Sequence, residues 1–167
     1  MDIMPFYLVF LQSLPETAII VALGLVLLGV KPSLLPLFVV ALISALASYF
    51  IRALPLAPGI NILLQFPITI LLVTYFFRIP FTFAILSSSL GLICITLIEM
   101  VFNLGMSAIT GIPIIEAVAN PVWRVLFPLP EFMFLTVVVL GLNHYGISLF
   151  NLHEYREMEK VIENEER

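Results

Sequence analysis

The chain has 167 residues, of which 62% are hydrophobic and only 11% charged, and its formal net charge is −4. A soluble domain carries about 25% charged residues, so the composition excludes a water-soluble enzyme, and a mean hydropathy of +1.17 reads as long apolar runs that cross a bilayer. Six of the eleven acids lie after Leu152, which makes the acidity a property of the tail, and no basic patch is dense enough to imply nucleic acid.

The first span follows Ser13-Leu14-Pro15-Glu16. Ser13 with Glu16 three residues on matches a capping box, and proline suits a first turn. The span runs from about Leu14 to Val30 and stops at Lys31-Pro32-Ser33. Residues 3–12 are also apolar; they either lie in the interface or extend the helix backwards through a kink at Pro15. The N-terminus lacks a basic region and a small-residue cleavage site, so no cleaved signal peptide is expected.

The second span is Leu34 to about Leu54, closed by the turn Pro55-Leu56-Ala57-Pro58-Gly59. The third, Ile60 to Phe77, contains Pro67, where a kink is expected. Arg78-Ile79-Pro80 leads into the fourth, Phe81 to Leu104. Cys94 sits there in an apolar run; a lone cysteine builds no disulfide or thiolate metal site within the chain, and burial keeps it neutral and inert. Gly105 to Leu129 is the one long connection. Ile114–Ala119 and Val122–Phe127 read as two short interfacial helices split by Asn120-Pro121, with Trp123-Arg124 suited to the headgroup layer. The fifth span starts at Pro130-Glu131 and ends between Leu142 and Phe150.

The expected fold is therefore an all-α membrane bundle: a five-span domain over residues 1–150, and a charged cytoplasmic tail helix over 151–167. Five spans put the termini on opposite sides. Lys31, Arg78, Arg156, Lys160 and Arg167 fall on one side, Arg52 and Arg124 on the other. The positive-inside rule puts the first set in the cytoplasm of a bacterial inner membrane, with the N-terminus outside and the C-terminus inside.

Polar residues recur four apart inside three spans: Ser44/Ser48/Arg52, Asn61/Gln65/Thr69 and Ser88/Thr96/Glu99/Asn103. Ionisable groups at membrane depth are costly and face protein or trapped water. In the expected topology Glu16, Arg52, Asn61, Gln65, Glu99, Asn103, Arg124 and Glu131 all fall in or near the outer half. One reading joins them in an outward-opening pocket for a small extracellular or membrane-borne ligand, which could be a small amphiphile, a short peptide or a cation. Arg52 pairs with Glu99 in it, Glu16 and Glu131 form a negative rim, and Arg124 folds over from the loop. The competing reading is a structural ion pair with interhelical hydrogen bonds worth about 1 kcal/mol each. Small residues such as Ser44, Ser48 and Ser88 let helices approach, and carboxylates such as Glu16 and Glu131 are favoured at helix N-termini by the dipole.

No catalytic motif stands in the sequence: HExxH, GxSxG and Walker loops are missing, so neither enzyme activity nor a cofactor is expected. His144 has no partner at metal-ligand spacing. His153-Glu154 resembles a phosphoacceptor context, but nothing in the chain binds ATP, and a solvated helix face accounts for it. Tyr155, Met158 and Ile162 form an apolar strip on the tail, suited to docking a protein partner or a second copy of the chain, though two heptads do not define a coiled coil.

Leu11-Gln12-Ser13-Leu14-Pro15-Glu16, then Tyr49-Phe50-Ile51-Arg52-Ala53-Leu54-Pro55-Leu56, then Asn120-Pro121-Val122-Trp123-Arg124-Val125-Leu126-Phe127 resemble, in order and spacing, the membrane-embedded sensor regions of histidine kinases from spore-forming Gram-positive bacteria. The resemblance covers about Leu11 to Leu142. It implies an input module that passes a cue through the fifth span and the tail, with Glu16, Arg52, Asn120 and Arg124 at the matching positions. Such kinases continue into phosphoacceptor and ATP-binding domains, whereas this sequence stops at Arg167, so kinase activity does not carry over. The sequence-based expectation is a non-enzymatic sensory or regulatory membrane module. The alternatives are a solute-binding subunit resembling those of energy-coupling-factor transporters, which usually have six spans, and a structural subunit of a membrane complex.

Overall fold

A computed structural model describes residues 6–7, 9–54 and 60–150. Every regular element among them is helical. A π-helical turn, Val9–Ser13, runs into α1 (Leu14–Leu27), followed by α2 (Leu34–Arg52), α3 (Ile60–Phe77), α4 (Phe81–Thr110), α5 (Ile114–Ala119), α6 (Pro121–Leu126) and α7 (Leu129–Tyr145). Five segments are long and apolar enough to cross a bilayer: Phe10–Leu27, Leu34–Arg52, Ile60–Phe77, Phe81–Thr110 and Pro121–Tyr145. The fold is an all-α, multi-pass membrane bundle. Residues 55–59 and the tail with Tyr155, Met158 and Ile162 lie outside the described residues.

Three boundaries differ from the sequence reading, one of them that of the fifth apolar segment, which starts at Pro121 and not at Pro130. Ser13 does not cap α1: its backbone is helical (φ −67°, ψ −34°) and its side chain makes no capping bond. Pro15 explains this, because its ring crowds the carbonyl four residues back and it offers no N–H; the chain widens into a π-turn just upstream and continues as one helix. Glu16 is therefore inside a continuous helix, not at a free N-terminus. The fourth span is also longer than expected, running to Thr110. Gly111, at φ 71°, ends it, its N–H donating to the Ser107 carbonyl at 2.9 Å. At 1.5 Å per residue α4 is about 45 Å long, and Glu99 lies eleven residues before its end, deeper than the five expected.

Helix α1 is the hub. Residues of the first span are 56% buried, against 17% to 28% for the other four. Helices α1, α2, α3 and α4 form a ring in which each packs on its two neighbours while the diagonals scarcely meet, and α7 lies against α1 and α4. The α1–α4 contact is backbone-close. A Cβ on Gly24 would collide with the Ser87 carbonyl, and a Cβ on Gly91 would collide with the Ile20 carbonyl. Small residues at such crossings let dispersion contacts form where lipid supplies no hydrophobic drive.

Two apolar clusters hold the bundle. Val21 and Leu25 of α1, Val40 of α2, Ile70 and Val73 of α3, Ala84 of α4 and the inter-helix Ile79 close the ring at the end bearing Lys31 and Arg78. Ile19, Leu23, Val26, Ile95, Phe132, Leu135 and Val139 bind α7 to α1 and α4. The large residues left exposed, such as Leu63, Leu71, Ile93, Leu97, Met133 and Val137, belong to the outer face and suit acyl chains.

At the Lys31 end, α1 stops with Gly29 at φ 71°; the Gly29 and Val30 N–H groups return to the Val26 and Leu25 carbonyls at 2.9 Å, a Schellman ending. The Leu27 carbonyl accepts from Leu149 N–H (2.8 Å) and Phe150 N–H (3.1 Å). The segment that follows α7 is thus fastened to the end of the central helix.

Candidate functional site: a blind polar cavity in the four-helix ring

Above the apolar closure formed by Val21, Leu25, Val40, Ile70, Val73 and Ala84, the same four helices turn polar residues inward around a cavity of about 300 Å³. The helical repeat explains the change. Gln12, Ser13, Glu16, Thr17 and Ile20 fall on one face of the first span. Ser48 and Arg52 do so on α2, Ile62, Gln65, Phe66 and Thr69 on α3, and Ser88, Leu92, Ile95, Thr96 and Glu99 on α4, all at three- and four-residue spacings that stack on one side. Pro128, with Glu131 and Phe132 of α7, completes the wall.

The cavity thus gathers Glu16, Arg52, Gln65, Glu99 and Glu131, five of the residues singled out by sequence. Glu131 is 2% exposed and Ser88 is 2% exposed. Glu16 and Arg52 are half-buried, while Glu99 and Thr96 are on the accessible side of the cavity. Three expected residues are not among its lining. Asn61 is one turn above Gln65 at the start of α3, half-buried. Asn103 lies one turn beyond Glu99, and its Nδ2 reaches Glu99 Oε1 at 3.5 Å. Arg124 is half-buried on α6, and the wall is reached only by Pro128, beyond that helix.

Charge in the cavity is unbalanced. Glu16 is within electrostatic range of both Arg52 and Glu99. The charges acting on Glu131 are those of Glu99 and Glu16, both of its own sign. The arginine expected opposite Glu99 therefore also serves Glu16, and three carboxylates share the space.

Hydrogen bonding divides the lining into two groups. The threonines are satisfied inside their own helices: Thr17 Oγ1 donates to the Ser13 carbonyl (2.8 Å), Thr69 to Gln65 (3.2 Å) and Thr96 to Leu92 (2.8 Å), a bond common where hydroxyls must be quenched away from water. By contrast Gln12 Oε1, Ser88 Oγ and Glu131 Oε1 are buried without a hydrogen-bond partner in the protein. Each such group costs roughly 1–3 kcal/mol of desolvation if left unmet. Ser44 and Ser87 also carry unpartnered buried hydroxyls; neither lines the cavity, and Ser87 is pressed against Gly24, so these two belong to packing.

Sequence reasoning missed Gln12, because its facing depends on the π-turn that precedes Pro15. No group of His, Cys, Asp and Glu able to hold a metal ion occurs among the described residues. Comparison with known proteins found no matching family model, no matching curated protein and no matching solved structure.

Proposed function

We propose that this chain is a receptor-like membrane module that binds a small solute in the four-helix cavity and conveys its occupancy through the central helix to the segment after α7. The observation that carries the reading is the blind form of the cavity: polar and charged walls at one end of the ring, a packed apolar closure at the other. A conducting pore needs a hydrophilic route through both ends, whereas a pocket built at the meeting of several helices is the usual form of a ligand site.

The link to output rests on α1, which supplies Glu16 and Thr17 to the cavity and the Leu27 carbonyl to the Leu149 and Phe150 N–H groups. Lys31 and Arg78 at the closed end favour that end in the cytoplasm, which on this reading turns the cavity outwards and the end of α7 inwards. The reading as a solute-capturing transporter subunit shares the cavity but gives no role to the fastening between Leu27 and the chain after α7.

The test uses the full-length chain in sealed vesicles with Cys94→Ala. Ser48→Cys, on the cavity wall, is expected to react with a membrane-impermeant thiol reagent added from the extracytoplasmic side. Val73→Cys, in the closure, is expected not to react. Reaction of Ser48→Cys only after the vesicles are opened would reverse the orientation, and reaction at neither site in open vesicles would remove the cavity.

A further inference from the structure

The contents of the cavity can be specified more narrowly, on the reading that it binds a solute at all. The unmet groups on its walls are dominated by acceptors. Gln12 Oε1 can only accept, Glu131 Oε1 accepts whenever its carboxyl is ionised, and Ser88 Oγ accepts or donates; all three are buried without a protein partner. Glu131 is 2% exposed, and its charged neighbours are carboxylates. Three carboxylates, Glu16, Glu99 and Glu131, line the cavity together with one guanidinium, that of Arg52, so its walls carry an excess of negative charge. A buried carboxylate in that position calls for a positively charged donor.

Size and lining suit an organic solute better than a bare metal ion, for which no suitable group of His, Cys, Asp and Glu occurs among the described residues. About 300 Å³ is on the order of ten times the volume of one water, and metal sites contract around their ligands at fixed short distances. Beside the acids stand Phe66, Leu92, Ile95 and Phe132. Aromatic faces attract organic cations, and the aliphatic groups would cover an apolar body.

We propose that the cavity takes a small organic cation: an ammonium or guanidinium group bonded by Glu131 and Glu99, on an apolar body lying against Phe66, Leu92 and Phe132. An anionic solute is repelled by the same carboxylates, and a neutral one leaves their excess charge unbalanced.

The experiment uses the full-length Cys94→Ala chain in open lipid nanodiscs, with Thr69→Cys as the reporter on the cavity wall. Two methanethiosulfonate reagents of similar size are compared, one bearing trimethylammonium and one bearing sulfonate, each rate divided by its rate with a free small thiol. The normalised rate is expected to favour the cationic reagent about tenfold or more, the scale on which a cleft of one sign concentrates counter-ions. Glu131→Gln and Glu99→Gln are each expected to cut that preference several-fold. Phenethylammonium is expected to protect Thr69→Cys, and phenylacetate not to. Equal rates for the two reagents, faster reaction of the sulfonate, or a preference untouched by both glutamine variants would overturn the proposal while leaving a solute cavity standing. No reaction with either reagent would overturn the cavity, and the cation with it. Should Glu131→Gln fail to fold, Glu99→Gln, at the accessible side, carries the comparison alone.

Discussion

The most demanding residue in this protein is Glu131. It is almost completely enclosed, one of its oxygens has no partner in the protein, and the charges it senses repel it. Breaking up a satisfied ion pair destabilises a fold, whereas removing an unpaired buried charge relieves it. Glu131→Gln keeps the shape and deletes the charge. It is expected to raise the thermal midpoint of the purified protein by a few degrees, as a gain of about 1 kcal/mol would in a domain of this size. The cost is charge selectivity in the cavity. Glu99→Gln is expected to move the midpoint less, because Glu99 is exposed and has Asn103 beside it. Fluorescence-monitored unfolding in one detergent tests both; a large loss of stability in Glu131→Gln would mean that the carboxylate is structurally required. Glu131 was visible in the sequence as an acid at a helix start, which a dipole explains on its own. Its burial was not visible, because burial comes from α7 settling against α1 and α4.

For whole helices the legible part was the facing of polar strips. Ser88, Thr96 and Glu99 repeat at helical spacing, as do Gln65 and Thr69, and these strips do meet at one cavity. Spacing assigns residues to a face but says nothing about depth, so Asn61 and Asn103 were grouped with their strips although they stand a turn beyond the lining. The α1–α4 crossing was not legible. Gly24 and Gly91 are single glycines in greasy sequence, and their importance lies in what faces them, the Ser87 and Ile20 backbones. Gly24→Ala and Gly91→Ala are each expected to cost about 1–3 kcal/mol, since the helices must separate to admit a methyl group. Gly141→Ala meets nothing within 4 Å and is expected to be neutral or to stabilise by up to about 1 kcal/mol through helix propensity. Reversible unfolding of the three variants tests this, and equal effects would show that the crossing is looser than described. Gly29→Ala places a side chain at φ 71° beside the Phe150 carbonyl. It is expected to loosen the fastening at Leu27, seen as faster amide hydrogen exchange at Leu149 and Phe150 without change at the cavity.

At the scale of the whole molecule, composition alone pointed to a membrane bundle, and five helical segments long and apolar enough to cross a bilayer, among the described residues, bear that out. The arrangement of the helices required coordinates, because a ring of α1 to α4 with α7 outside is one of several ways to pack five apolar rods. Sidedness follows from few charges, with Lys31 and Arg78 at the closed end. An enzyme reporter active only outside the cytoplasm, fused after residue 79, is expected to be silent, and one fused after residue 112 active; the reverse pattern would invert the molecule and turn the cavity towards the cytoplasm.

The length of α4 carries a consequence of its own. A rod of about 45 Å exceeds a hydrocarbon layer of about 30 Å by half. It must lean or protrude, and the amount of lean is dictated by the surrounding lipid. Glu99 rides on that rod, which is fixed to α1 at the Gly24 and Gly91 crossings, so thicker or thinner membranes will lean the two helices as a unit and shift the free end of α4 beyond Glu99. On the proposed reading of the cavity, reconstitution in phosphatidylcholines of increasing acyl length is therefore expected to change the affinity for phenethylammonium, with bilayer thickness acting on the cavity mouth through that free end.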